Sequence, residues 1–334
     1  MRISGLSIPD LISPRKHSIV FLDAGTVDFG DVSFAEIRQL GHVEVYRDTP
    51  SGKIEERVRQ ADTVIVNKCV FDRRLLTRLK AVRAIHVAAT GVNNVDLKAA
   101  KEKGIAVTNV TGYSTETMAQ AVFALLLAMA CDLFRMSRTA KDGTWSRSPF
   151  FMVTPVSVKE IYGKTLGILG YGNIGKKVAK TARAFGMKVI VGRVPGMRYP
   201  GKDKVNRVDF KTLIRRSDFL TLHAPLTENT RNLINGRVIR KMKHGSFLIN
   251  TARGGIVDER ALDRALRSGH LAGAAVDVLS QEPPPARHFL FKTPNLILTP
   301  HSLWASLEVR KRLIHELALN IKAFQRGRRR NRLV

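Results

Sequence analysis

Short apolar runs separated by polar, glycine-bearing connections recur along the chain in two series. In the first, residues 19–22, 43–46, 63–66, 84–88 and 106–109 read as strands, and helical spacing of apolar positions occupies 34–40, 53–59, 73–79 and 96–103. Strand and helix alternating in this way predict a parallel sheet, because parallel neighbours need a crossover and a helix supplies it. Helical periodicity then runs from about 115 to 140, long enough to bridge two domains, and a polar, aromatic-containing loop over 142–156 is expected to overhang a cleft. The alternation restarts at Gly163, with strands at 165–169, 188–192, 218–222, 246–250, 272–276 and 296–298 and helices at 174–185, 209–215, 235–241 and 258–268. A last helix, about 305–324, has no strand after it and is expected to return onto the first domain. The predicted fold is α/β: two Rossmann-like or flavodoxin-like parallel-sheet domains with a cleft between them.

The stretch 165–175, TLGILGYGNIG, opens the second series. An apolar strand ends in Gly170-Tyr171-Gly172-Asn173-Ile174-Gly175, a helical pattern follows, and a second strand comes after it. In that context G-x-G-x-x-G has a physical meaning. The first glycine makes a tight turn, the second lets a pyrophosphate approach the backbone, and the third lets the helix pack close to the strand with its positive end toward the phosphates. Glycine-rich turns alone are common; strand before and helix after make this one a dinucleotide site.

Ligands of open α/β sheets sit beyond the carboxyl ends of the strands, so chemistry is sought in the residues after each apolar run. Arg253 follows 247–249, and its planar, permanently charged fork suits a carboxylate and the carbonyl beside it. Asp277 and then Glu282 follow 274–276, and His301 follows 296–298. Taken singly, each has a plain reading: a surface Arg in a basic chain, a solvated loop Glu before prolines, one structural His among nine. Their company separates them, since each follows a different strand of the sheet that begins with the dinucleotide pattern.

Composition changes this picture little. A chain of 334 residues with 44% hydrophobic positions builds about two domains with full cores. Cys69 and Cys131 form no metal or redox pattern, and no zinc spacing is found, so no metal is expected and a reducing cytoplasm is the expected compartment. The first sixteen or so residues carry no secretory h-region and read as a loose extension. The longest apolar stretch, 118–134, contains Gln120 and Asp132, falls short of the roughly 20 residues of a membrane span, and reads as a buried helix. The charge is unusual: 56 basic against 28 acidic residues, formally +28. Basic residues are spread along the chain, with one dense cluster at 326–332, so the excess favours anionic ligands and predicts only non-specific nucleic-acid binding at low salt.

The ordered set of motifs resembles the D-isomer-specific 2-hydroxyacid dehydrogenases over nearly the whole chain. It includes GKTLGILGYGNIG at 163–175, NTARGGIVDE at 250–259, AAVDVLSQEP at 274–283 and TPHSLWASLEVR at 299–310. Within that family, GYSTETMAQAVFALLL at 112–127, TWSRSP at 144–149 and WAS at 304–306 are most similar to the glycerate dehydrogenase (hydroxypyruvate reductase) branch. The resemblance implies His301 as acid/base, Glu282 as its partner, Arg253 as substrate anchor and Asp277 on the nicotinamide carboxamide. It implies further cofactor contacts at His223, Pro225, Thr251 and Ala252, and substrate contacts at Asn67, Lys68, Gly91 and Val92. It also implies a substrate domain of 1–113 plus 305–334, a dinucleotide domain of 114–304, and a homodimer built on the dinucleotide domains. The expected reaction is reduction of hydroxypyruvate or glyoxylate by NAD(P)H. An imidazolium supplies the carbonyl proton, and a neighbouring carboxylate generally favours that charged form.

One departure bears on the cofactor. The second strand of the dinucleotide series leads into Gly192-Arg193-Val194-Pro195, where relatives that prefer NAD usually carry Asp in place of Arg193. With Arg193 and Arg198 present and no acid at 192–198, the expectation is NADP(H) preferred and NAD(H) possible. Leu303, bulkier than the residue many relatives have two places after the His, puts the substrate rather than the reaction class in question. Phosphoglycerate and D-lactate are alternative substrates. A corepressor-like protein that senses dinucleotide without turnover is the alternative of another class, given weight by the basic tail.

Overall fold

The apolar runs at the centre of each sheet form strands buried on both faces, as crossover helices on the two sides of a parallel sheet require. The computed structural model describes residues 17–153, 157–199 and 204–334. The expected loose extension at 1–16, and 154–156 of the 142–156 loop, lie outside the described residues. The chain divides into two compact units, one made of residues up to Tyr113 with Ala305–Val334, the other of Ser114–Trp304.

The first unit alternates β1 (Ser18–Phe21), α1 (Ala35–Arg38), β2 (His42–Val45), α2 (Ile54–Val58), β3 (Thr63–Val66), α3 (Arg73–Arg78), β4 (Ala84–Val87), α4 (Leu97–Glu102) and β5 (Ala106–Thr108). The sheet is parallel throughout, in the flavodoxin-like order β2-β1-β3-β4-β5. Period-two alternation splits each strand between two faces. Val20, Leu22, Val64, Val66, Ile85 and Val87 join the core beneath α2, α3 and α4, while Phe21, Ile65 and His86 point the other way.

The second unit begins with α5 (Thr115–Ala130) and α6 (Leu133–Lys141). Then follow β6 (Thr165–Leu169), α7 (Asn173–Ala184), β7 (Lys188–Gly192), β8 (Arg207–Val208), α8 (Phe210–Arg216), β9 (Phe219–Leu222), α9 (Gly236–Ile239), β10 (Ser246–Asn250), α10 (Glu259–Arg267), β11 (Leu271–Val276) and β12 (Leu296–Leu298). Its parallel sheet runs β12-β11-β10-β9-β6-β7-β8, so the strand order reverses at β6, the strand that carries the glycine turn. Leu220, Leu222, Leu248 and Val276 face α8, α9 and α10, whereas Ile168, Phe219, Phe247 and Ile249 face α5 and α7. Short side chains start the helices at the expected places: the carboxylates of Asp72, Asp96, Asp209 and Asp258 and the amide oxygen of Asn235 each accept the backbone N–H three residues on. Each such cap is worth about 1 kcal/mol.

The chain returns to the first unit as α11 (Leu307–Gln325), which packs on α1 and β4. Its buried Arg310 forks onto Asp31. The basic cluster at 326–332 is held in place rather than trailing. Arg330 bonds Glu316 at 2.6 Å and Asn320 at 2.7 Å, Arg332 bridges Thr108 antiparallel, and the Leu333 amide donates to the Val107 carbonyl at 2.8 Å.

The expected helix over 115–140 is two helices. The chain breaks at Cys131–Asp132, Asp132 takes a left-handed φ of 51°, and α6 leaves α5 at 57°. Aspartate tolerates that conformation, and its carboxylate then bonds Arg135 in the new first turn. The 118–134 stretch is correspondingly buried only as far as Ala130; Leu133 and Phe134 are exposed. The two-residue β8 was too short to show as a pattern. Among the described residues no single helix is long and apolar enough to cross a membrane.

Candidate functional site

Three adjacent parallel strands, β10, β11 and β12, end together, with Asn250 in register with Val276 and Val276 with Leu298. Arg253 lies three residues beyond β10, Glu282 six beyond β11 and His301 three beyond β12, so one edge of one sheet presents all three. The carboxylate of Glu282 joins His301 directly: Nδ1 lies 2.6 Å from Oε2, while Oε1 accepts the Leu279 amide at 2.9 Å. Glu282 is acceptor-only when ionised, so Nδ1 is the donor in this bond and Nε2 is left for another partner. His301 has φ of 53°, left-handed backbone that costs a non-glycine residue about 1 kcal/mol. The Trp304 indole N–H donates to the His301 carbonyl at 3.2 Å and helps to hold it there.

Arg253 stands at the head of a tight turn. Asn250 donates from Nδ2 to the Arg253 carbonyl at 2.9 Å and accepts the Ala252 amide at 3.1 Å, and the guanidinium bonds the Ala252 carbonyl at 2.7 Å. Asp277 is buried, and that burial raises its carboxyl above the usual range, opposed by the Thr299 hydroxyl, which donates to it at 2.6 Å, and by His301.

At β6 the glycine turn has the geometry that a dinucleotide needs. Gly170 has φ of 99°, and a Cβ there would stand 2.5 Å from the His223 carbonyl carbon. A Cβ on Gly175 would stand 2.3 Å from the Gly170 oxygen, whereas one on Gly172 would meet nothing within 4 Å. The close contacts are therefore behind the turn, and its outer side at Gly172, the N-cap of the twelve-residue α7, lies open. The Thr251 hydroxyl, just past β10, is buried without a hydrogen-bond partner, as suits a residue that meets a polar ligand group. The glycine turn and the orphaned hydroxyl both fit a nicotinamide dinucleotide.

His223 and Pro225 follow β9. The His223 side chain is turned inward onto the Thr221 hydroxyl at 3.0 Å, burial lowers its pKa to about 4, and only its backbone borders the glycine turn. Beyond β7, Arg193 is exposed with its guanidinium 5.8 Å from the centre of the Tyr199 ring, and Arg207 stacks on the same ring at 4.2 Å. The Tyr199 hydroxyl accepts the Val194 amide at 2.8 Å, and Arg198 is exposed.

In the first unit, Asn67 and Lys68 follow β3, and Gly91 and Val92 follow β4, at the carboxyl edge of its sheet. A residue that the sequence reading passed over shapes this turn: buried Asp23 accepts the backbone amides of Asn67, Lys68 and Cys69 at 2.8, 2.6 and 3.0 Å. An acid just after β1 is the only signal, and it is shared with many helix caps. The Cys69 thiol is pushed up to about 12, by burial first and then by Asp23, which makes it a poor nucleophile. A cavity of about 360 Å³ lined by Asp132, Phe134, Arg135 and Gly273 lies at the amino edge of β11 and β12, away from His301. Among the described residues no cluster of His, Cys, Asp or Glu is arranged to hold a metal ion.

A profile described as D-isomer specific 2-hydroxyacid dehydrogenase, NAD binding domain, matches residues 123–302. The chain is 38% identical over 320 residues to a glycerate dehydrogenase of Methylorubrum extorquens, covering 94% of this chain and 98% of that one. It is 36% identical over 314 residues to a hydroxypyruvate reductase of Blautia hydrogenotrophica, covering 92% and 97%. Among solved structures, an acyclic imino acid reductase in complex with NADPH and D-Arg superposes with a TM-score of 0.85 at 28% identity, covering 95% of this chain and all of the other.

Proposed function

Since the chain belongs to the D-isomer-specific 2-hydroxyacid dehydrogenases, we propose that it reduces hydroxypyruvate or glyoxylate to the D-2-hydroxy acid, with NADP(H) preferred over NAD(H). The observation that carries this reading is the Glu282–His301 bond, on the same strand ends as Arg253 and in the sheet whose order reverses at the glycine turn. Residues 170–175 and α7 hold the pyrophosphate, and Thr251, Ala252 and Asp277 hold the nicotinamide end. When bound, the cofactor supplies a hydride to the keto carbon. Arg253 binds the substrate carboxylate and polarises the keto oxygen. His301 delivers the proton from Nε2, and Glu282 fixes the ring and its tautomer. In the first unit, Asn67, Lys68, Gly91 and Val92 are the proposed substrate contacts.

For the 2′-phosphate of NADP(H), the support is the paired guanidinium groups of Arg193 and Arg207 about Tyr199, where an acid would repel it. A homodimer is supported by the exposed Leu133, Phe134, Trp145, Phe150 and Phe151, which gather along α6 and the loop after it. The two free thiols fit the cytoplasm.

The test is NADPH oxidation on a panel of hydroxypyruvate, glyoxylate, pyruvate and 3-phosphohydroxypyruvate. Turnover of the first two, with kcat falling about 10²–10⁴-fold in His301→Ala, is the expected result. NADPH binding with no turnover on the panel would replace this reading with the sensing protein.

A further inference from the structure

The Glu282–His301 pair depends on the loop that carries Glu282. Residues 280–283 and 285–287 are exposed, yet Glu282 at its middle has to meet His301 at hydrogen-bond distance. Both ends of that loop converge on one side chain of the helix beneath. Glu259, first residue of α10, accepts the Ser280 amide at 2.6 Å with Oε1, and its Oε2 lies 3.4 Å from Nε2 of His288. The side chains of His288 and Glu259 are only 12% and 14% exposed, against 34% for Glu282. His288 is held in turn: its ring stacks on Phe289 at 4.5 Å, and the Arg260 guanidinium lies 3.7 Å from the centre of the Phe289 ring. At the entry to the loop, a Cβ on Gly254 would fall 1.9 Å from the carbonyl carbon of Leu279, so the backbone there is in close contact with the turn that carries Arg253.

We propose that Glu259 is a positioning residue for the reaction: a carboxylate clamp that ties Ser280 to His288 and so holds Glu282 on His301. This rests on the assignment of His301 as the proton donor. Glu259 touches no reacting atom. It acts because the loop ends, fixed 8 residues apart on one rigid acceptor, leave Glu282 a small range of positions, and Leu279, whose amide bonds Glu282, is the neighbour of clamped Ser280. A charged acceptor makes the stronger amide bond, and its place in the first turn of α10 favours the negative charge.

The experiment compares Glu259→Ala, Glu259→Gln, Glu282→Gln and the double variant Glu259→Ala/Glu282→Gln. With the clamp removed, kcat falls about ten-fold, part of the 10²–10⁴-fold that a positioned proton donor supplies, while KM for keto acid and for NADPH changes less than about two-fold. Glu259→Gln, which keeps an acceptor for Ser280, recovers at least half of the wild-type kcat. In the double variant the loss is no greater than in Glu282→Gln alone, because both act through one bond. Multiplying losses, or a fall in kcat that merely follows the folded fraction, would overturn the clamp. A readout free of turnover separates this from the assignment of function: nitrogen-15 NMR of the His301 ring at alkaline pH reports the Nδ1–H tautomer in wild type and loses it in both Glu259→Ala and Glu282→Gln. An unchanged tautomer in Glu259→Ala overturns the proposal whatever the enzyme turns over.

Discussion

Acid should loosen this fold well before its carboxylates protonate, through two histidines held in the neutral form, one of them fully buried. His86 sits on β4, between β3 and the edge strand β5, fully buried, with Nδ1 2.8 Å from the Thr108 hydroxyl, Nε2 unpartnered and Phe324 edge-on at 6.1 Å. Burial lowers its pKa from 6.5 to about 3, and burial lowers that of His223 in the second unit to about 4. The sign follows from linkage. The unfolded chain takes up a proton below about pH 6.5 and the native chain does not, so the stabilisation is whole above 6.5 and is lost as pH falls toward 3. From pH 7 to pH 5 His86 costs about 2 kcal/mol, at about 1.4 kcal/mol per unit over the steep part, and the half-buried His223 costs less. Urea unfolding followed at pH 7, 6 and 5 measures this, with near-ultraviolet signals read separately for the two units. Replacing His86→Leu together with Thr108→Val leaves no orphaned hydroxyl and should remove more than half of the combined acid slope. Stability equal at pH 7 and pH 5, or a slope unaltered in the double variant, would refute the burial argument.

Three further outcomes are expected. Arg193→Asp should reverse cofactor preference, lowering kcat/KM with NADPH by about ten-fold or more while NADH improves or holds, since a carboxylate repels the 2′-phosphate; a variant that keeps its NADPH preference would place the selectivity elsewhere. Phe151→Asp with Phe134→Asp should shift sedimentation from dimer to monomer without loss of helix content, and a wild type that sediments as a monomer would refute the dimer. Asp258→Ala removes the cap of α10 and should cost about 1 kcal/mol in urea midpoint analysis.

Much of the framework was legible because period and context agree. Buried parallel strands must be apolar runs, and the turn after β6 must carry glycine where His223 and Gly170 leave no room for a Cβ. Arg253, Glu282 and His301 could be picked out because strand ends are where a parallel sheet exposes side chains to a ligand, and the structure puts all three on one edge. Other features have no local signature. Asp132 turns the chain left-handed inside an otherwise helical pattern, and the pattern of apolar residues runs straight through it. Asp23 and Glu259 act by accepting amides 44 and 21 residues away, contacts set by tertiary folding alone. The arginine-rich cluster reads in sequence only as dense charge, yet its backbone bonds β5 and the side chains of Arg330 and Asn331 bond α11.

The left-handed backbone at His301 has a consequence for reading the protein's descent. Glycine would sit there more comfortably than an imidazole, so nothing in the backbone itself calls for histidine. On the proposed role, it is proton transfer that calls for the imidazole. A homologous chain with glycine at this corner would keep the turn and give up the proton donor.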